Sequence, residues 1–533
     1  MDLSSWIERG ADFTPAKPAL RFEGLIVSYS ALDQRIRALA AGLKSTLGIG
    51  RGDRLAWLGT NTPDMVAALF ACARLGAMFV PLNWRLAPPE HAYILDHCGA
   101  KALIADSGLA ASAGVTALAG RFARIAAGGA ASGWRDLDDV IGSGGGDDRN
   151  PHADGQTPLL LVYTSGTTGR PKGAVLTQDA LLWNAINSSH MHDLTSADRV
   201  LTTAPLFHVG GLNIQTLPAL HAGATVTLHR RFDPGGFLAT VASERPTLTV
   251  LVPAQMLALL DHPSWPGADL SSLRLITTGS TIVPTALIRR FQARGLTVVQ
   301  VYGATETAPI AIYQRAADAE KVGNTGKPAL HCAVRLVDSQ GRDVAAGERG
   351  EIWVRGGNVM TEYWNDAEAT RAAFTDGWYR TGDLGHRDAD GYYTIDDRAR
   401  DVIISGGENI YPAELENILA ESADIAEAAV VGRDHPRWGE VPVAVIVAKA
   451  GAVGLTRDKL LALFEGRIAR FKHPKDVVFV SALPRNVMGK VQKFALAAMI
   501  ADYGGGQPAE RSGQPAEGGE GGSVWAEKRA GEV

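Results

Sequence analysis

The chain has 533 residues, 46% of them hydrophobic and 20% charged, with a formal net charge of -5. That composition excludes a chain disordered throughout, and the lack of a long basic block argues against nucleic acid as the main partner. At ~100 to 200 residues per domain, the length implies about three or four units and a large core.

Cys72, Cys98 and Cys332 are isolated and lack metal-ligand spacing, so neither a disulfide framework nor a zinc cluster is expected. The N-terminus carries early acidic residues and no apolar stretch followed by a cleavage site. Both features fit a cytoplasmic protein.

The first 150 residues alternate helical periods, such as YSALDQRIRALAAGLKSTL, with short apolar strands, such as RLAWLG and AKALIAD. This alternation predicts an α/β layer architecture. The run from Met65 to Val80 is interrupted by Arg74 and falls short of the ~20 residues that span a bilayer, so it reads as a buried helix leading into a strand. Residues Trp134 to Gln156, rich in Gly and Asp, read as a connecting loop.

Next comes YTSGTTGRPKG, Tyr163 to Gly173, between the apolar run Leu159 to Tyr163 and a helical period from about Leu181. The expectation is strand, loop, helix. Glycine amides, Ser and Thr hydroxyls and two cations make this an anion cradle. From Leu201 to Gln300, strands and helices alternate with Gly or Pro at their ends. From His331 to Val354 the alternation predicts a small antiparallel sheet, with a further hairpin at GYYTIDD.

After Asp397 the pattern supports a second, smaller α/β domain, with DDRARD as the hinge. The tail beyond Tyr503 is rich in Gly, Glu and Pro and reads as disordered, with Trp525 assigned no role.

The cradle is not a Walker loop, because no GK followed by Ser or Thr closes it; GxGxxG at a strand end and GxSxG are also missing. Six separated stretches instead resemble, in order, the adenylate-forming superfamily of acyl-CoA synthetases, peptide-synthetase adenylation domains and firefly-type luciferases. They are YTSGTTGRPKG, PLFHVGG (Pro205 to Gly211), VYGATE (Val301 to Glu306), YRTGD (Tyr379 to Asp383), Asp397 to Glu416, and PRNVMGK (Pro484 to Lys490).

The resemblance implies a large multi-subdomain α/β domain over 1–397 with layered sheets and a small barrel-like antiparallel sheet. A mobile α+β domain over 398–503 follows, then a tail over 504–533. It also implies ATP and Mg2+, with CoA as co-substrate. Thr164, Ser165, Gly166, Thr167, Thr168 and Gly169 would cradle the β and γ phosphates with Lys172 in support. Gly279, Tyr302 and Gly303 would border the nucleotide, Thr305 would reach the α-phosphate, and Glu306 would ligate Mg2+. Asp383 and Arg398 would hold the ribose, and Lys490 would act on the carboxylate and α-phosphate together.

His208, Val209, Gly210, Thr281 and Ala308 would line the acyl pocket. In the thioester step the small domain would turn about Asp397 and bring Gly407 to the thiol tunnel, with Arg433, His435 and Trp438 as weaker candidates for CoA contacts.

Arg400 stands where relatives usually carry Lys, and Glu362 where they often carry Gly; Thr281 and Ile282 replace smaller residues and would reshape the acyl pocket. The expected function is an AMP-forming acyl-CoA synthetase acting on a medium- or long-chain fatty acid or an aryl acid. The alternatives are an enzyme that loads a carrier protein, a luciferase-like oxygenase, and a non-catalytic nucleotide- or acyl-binding homologue. A homodimer is compatible with this reading.

Overall fold

A computed structural model describes residues 1–110, 120–129, 131–164, 171–280, 283–398, 401–405, 408–435, 438–452, 454–465, 467–468, 470–486 and 489–501. The expectations placed on Ser165 to Gly169, Thr281, Ile282, Arg400, Gly407 and the tail fall outside these residues, as does everything concerning the side chain of Arg398.

Two large sheets carry the N-terminal part. One has nine strands, with a parallel centre formed by Pro18–Phe22, Thr225–Leu228, Arg199–Thr202, Leu248–Val250, Leu275–Gly279 and Val298–Tyr302. The other has eight strands, with Arg54–Leu58, Met78–Leu82 and Ala102–Asp106 near its middle. Their strands are continuous apolar runs because helices cover them, as expected of parallel sheets. Tyr29–Leu47 and Pro63–Leu75 are two of these helices, each ended by a left-handed glycine, Gly48 and Gly76.

Arg74 interrupts the Met65 to Val80 run without exposing it. Its guanidinium is 1% exposed and pairs with Asp148 at 2.8 Å. Burying it is tolerable because the charge is matched; removing one partner of such a pair typically costs about 3–5 kcal/mol.

Two local expectations need correction. The 134–156 segment is not loop throughout, since it contains a short helix, Leu137–Gly142, capped by the Asp136 side chain and anchored by buried Leu137 and Val140. Nor does a helix follow the YTSGTTGRPKG loop directly. Pro158–Thr164 and Lys172–Thr177 pair antiparallel, Thr164 opposite Lys172, and the helix Gln178–His192 begins only after that. The loop therefore joins two strands of a hairpin, and a helix dipole at its end contributes nothing to anion binding there. The apolar run GAVL packs into the eight-stranded sheet, which its period could not distinguish from a helix start.

The expected antiparallel sheet is present. Cys332–Val337, Arg349–Gly356, Phe374–Thr375, Trp378–Arg387 and Tyr393–Arg398 form a five-stranded, curled half-barrel. A smaller C-terminal domain has its own five-stranded sheet, in which Ile425–His435 and Gly439–Ala448 are the long central pair. The helices Pro412–Leu419 and Lys493–Ala501 supply core residues such as Leu415 and Leu496 to it.

Candidate active site

Tyr302 ends the Val298–Tyr302 strand, and its hydroxyl donates to Asp383 Oδ2 at 2.7 Å. Asp383 lies on the half-barrel strand Trp378–Arg387, opposite Arg398 in register. Two sequence-distant candidates from different sheets thus meet. Gly279 and Val301 are direct neighbours in register, and a Cβ on Gly279 would stand 2.4 Å from the Val301 carbonyl oxygen.

The chain then tightens at Gly303, where a Cβ would fall 1.6 Å from the Pro309 carbonyl oxygen. No other residue type fits there. This close approach builds a single turn, Thr305–Thr307, and Thr305 and Glu306 are both only 8% exposed. Ala308, in the left-handed region at φ 65°, closes the turn and is fully buried.

Glu306 is held from two directions. Its carbonyl accepts from the Met360 amide at 2.7 Å, and its Oε1 accepts from the Tyr363 hydroxyl at 2.8 Å. Lys172, at the start of the strand after the loop, lies over the Tyr363 ring, 5.5 Å from its centroid. Tyr363 is not among the candidates the sequence marks, although Glu362 beside it stands out and Tyr379 opens the YRTGD stretch. An aromatic in a two-residue edge strand carries no pattern that marks it as a carboxylate partner.

His208 caps a short turn, Val209–Gly211, by accepting from the Gly210 amide on Nδ1 at 3.0 Å. With Nδ1 an acceptor, the neutral ring carries its proton on Nε2. His208 is only partly covered by the surrounding chain, yet desolvation of the ring is the main effect that lowers its pKa to about 3. The charge of Lys490 is the second effect.

Val209 is buried in the main core alongside Leu206 and Phe207, while Gly210 faces Ser280, whose Oγ lies 3.6 Å from the position of a Cβ on Gly210.

Lys490 sits on a tight turn. Its amide donates to Asn486 Oδ1 at 2.9 Å, and the Asn486 amide donates back to the Lys490 carbonyl at 2.8 Å. Gly489, at φ 79°, supplies the left-handed residue, and Arg485 clamps its carbonyl at 2.6 Å. Asp397 is 5% exposed and accepts from the Ala413 amide at the start of the Pro412–Leu419 helix at 3.1 Å. Arg433 pairs with Asp476 at 2.9 Å, and Trp438 is 44% exposed.

Among the described residues no group of three or more His, Cys, Asp or Glu could hold a metal by itself, and no helix is long and apolar enough to cross a membrane.

Residues 7–364 match the AMP-binding enzyme family and residues 414–490 the AMP-binding enzyme C-terminal domain. The chain is 52% identical over 506 residues to an indoleacetate–CoA ligase of Aromatoleum aromaticum, covering 94% of this chain and 98% of the relative. It is 44% identical over 498 residues to a feruloyl-CoA synthase of an Amycolatopsis species, covering 92% and 97%. Among solved structures, o-succinylbenzoate CoA synthetase from Bacillus subtilis, in complex with its acyl-adenylate intermediate, superposes with a TM-score of 0.82 at 32% identity over 92% of this chain and 97% of that one. By these matches and by the ordered motifs they span, the chain belongs to the AMP-binding enzyme family and is an adenylate-forming acid–thiol ligase.

Proposed function

We propose that the protein is an ATP-dependent acyl-CoA synthetase whose acid carries an aromatic ring on a short carboxylate-bearing arm. Carboxylate attack on the α-phosphate of ATP gives acyl-adenylate and pyrophosphate; CoA thiolate then attacks the acyl carbonyl and expels AMP. The observation that carries this reading is the bond from the Tyr302 hydroxyl to Asp383 Oδ2 at 2.7 Å, which brings the VYGATE and YRTGD stretches from two sheets into one site. Support for the aryl acid comes from the named activities of the two relatives at 52% and 44% identity.

In this reading Tyr302, Gly303 and Gly279 border the base, and Asp383 accepts from the ribose hydroxyls with Arg398 beside it. Thr164 to Gly169 and Lys172 hold the β and γ phosphates, and Thr305 donates to the α-phosphate. Lys490 offsets the approach of two anions, since charge stabilisation in a dry site is where such catalysis gains most. His208 presents a neutral Nε2–H donor at the acyl end, and Val209, Gly210, Thr281 and Ala308 are assigned to the same pocket.

Glu306 suits Mg2+, which typically takes one or two carboxylates and completes its shell with phosphate oxygens and water. A single carboxylate with one oxygen already bonded to Tyr363 fits that demand better than a cage would. When bound, the ion would screen the polyphosphate and pyrophosphate charges. Asp397 is the pivot between units 1–397 and 398–503, and Gly407 approaches the thiol after rotation. A cytoplasmic location completes the proposal, and a homodimer is compatible with it.

The test is carboxylate-dependent pyrophosphate exchange, followed by thioester formation with CoA, over aryl-acetic, aryl-propenoic, short-chain and long-chain acids. Aryl acids should give the highest kcat/KM. Absence of exchange with every acid overturns the synthetase reading, and a higher kcat/KM for long-chain fatty acids overturns the choice of acid.

A further inference from the structure

The short strand Glu362–Tyr363 adds to the edge of the eight-stranded sheet and joins three parts of the nucleotide site. Its backbone neighbours fix the register. The Met360 amide donates to the Glu306 carbonyl at 2.7 Å, the Thr361 amide to Val175 at 3.0 Å, and the Trp364 amide to Gly173 at 2.7 Å. The strap is thus bonded both to the turn that carries Glu306 and to the strand that begins at Lys172.

The Tyr363 side chain bridges the same two residues. Its hydroxyl donates to Glu306 Oε1 at 2.8 Å, and its ring underlies the Lys172 ammonium. A carboxylate oxygen can only accept, so the phenol hydroxyl is the donor of this pair. Among the described residues Glu306 has no lysine or arginine within ion-pairing distance; the Tyr363 hydroxyl bonds its carboxylate while Lys172 stays over the ring.

We infer that Tyr363 is a positioning residue for the metal carboxylate: it occupies Glu306 Oε1, fixes the rotation of that carboxylate, and leaves Oε2 directed to a phosphate-bound Mg2+ or its water. A carboxylate free to rotate would have to be ordered when the ion binds, and the bond to Tyr363 removes that cost beforehand. The ring has a second effect. It gives the Lys172 ammonium a π face to rest on, which keeps the cation available for phosphate rather than collapsed onto Glu306.

This inference rests on the proposed synthetase reading, in which Mg·ATP is the bound nucleotide. The test uses the full chain and Tyr363→Phe, which keeps the ring under Lys172 and removes only the hydroxyl. Calorimetric titration with ATP is run with Mg2+ and with EDTA. Removing a partner that orients a metal ligand typically costs about 10–100-fold in metal affinity, so Mg·ATP affinity should fall by about tenfold or more while metal-free ATP binding stays within about twofold.

Combining the change with Glu306→Gln should abolish the additional effect, because both act through one carboxylate. Unchanged Mg·ATP affinity in Tyr363→Phe overturns the inference, as does an equal loss with and without Mg2+ or full additivity with Glu306→Gln. Failure of the unaltered protein to bind Mg·ATP at all would instead overturn the synthetase reading.

Discussion

The hydroxyl of Tyr302 donates to Oδ2 of Asp383 at 2.7 Å and so ties the last residue of an interior strand of the nine-stranded sheet to the half-barrel. Asp383 has two oxygens, and a carboxylate fixed at one of them presents the other in a set direction. Tyr302→Phe keeps the ring, which the proposed function sets against the base, and removes this one bond to the carboxylate. A hydrogen bond to an ionised group is worth about 1.5–3 kcal/mol, so the KM for ATP should rise about tenfold, with a smaller change in kcat. Steady-state kinetics at saturating acid and CoA measure this; an unchanged KM would mean that the Tyr302 bond does not set the position of Asp383 for the nucleotide.

Two histidines make stability depend on pH. His192 is 1% exposed, and burial is the main cause that lowers its pKa to about 4; His208 lies at about 3. Both folded values are below the unfolded value near 6.5, so the unfolded chain binds more protons as pH falls through this window. Their contribution is full above pH 6.5 and is lost progressively toward pH 4 and then 3.

His192 also bridges the Ser188 carbonyl and Thr277 Oγ1, both at 2.8 Å, so His192→Gln can keep part of that bonding without titrating. Urea unfolding between pH 7 and pH 4.5 should show a shallower fall in stability for this variant than for the unaltered chain, by on the order of a few kcal/mol at the acid end. A parallel fall in both would assign the acid sensitivity to other groups. The kcat/KM profile should likewise have no limb near pH 6.5 that disappears in His208→Asn.

Local pattern made most of the N-terminal elements legible. The helix expected over YSALDQRIRALAAGLKSTL is Tyr29–Leu47, and the interrupted run after Met65 is indeed helix then strand. The strand Lys172–Thr177 was hidden because four apolar residues have no period of their own. The helix Leu137–Gly142 was hidden by its Gly- and Asp-rich surroundings, and packing of Leu137 and Val140 overrides that composition.

In the site, Glu306, Asp383 and Lys490 belong to motifs with recognisable neighbours. Tyr363 does not, since its partner stands 57 residues away and only sheet register brings the two together.

Asp397 is coupled to the C-terminal helices. Lys493 Nζ lies 2.9 Å from Glu416 and 4.0 Å from Asp397 Oδ2. Burial opposes its charge, but the two carboxylates outweigh it and raise its pKa. Removing the cation leaves two covered carboxylates facing each other. Lys493→Met should therefore destabilise the protein by about 3–5 kcal/mol, measured by urea unfolding of the C-terminal transition, and raising salt should recover part of the loss. A change below about 1 kcal/mol would reduce the cluster to an ordinary surface pair.

Beneath the loop hairpin, His97 Nδ1 and the Tyr163 hydroxyl share a hydrogen bond of 2.7 Å, and the Tyr93 ring stacks on His97 with centroids 5.4 Å apart. Tyr163 is the last residue before Thr164 in the first strand, and Thr164 stands opposite Lys172 in register. The Tyr93 hydroxyl also reaches the Pro171 carbonyl at 3.4 Å, so the helix Pro88–Cys98 braces both strands where they meet the loop. His97→Phe keeps the stacked ring and removes the bond to Tyr163. A neutral hydrogen bond is worth about 1 kcal/mol, so the KM for ATP should rise about fivefold, and His97→Gln should restore part of it. Thioester formation from pre-formed acyl-adenylate needs no polyphosphate grip and should proceed at the unaltered rate. Equal slowing of both half-reactions, with a matching fall in Tm, would make His97 a structural residue only.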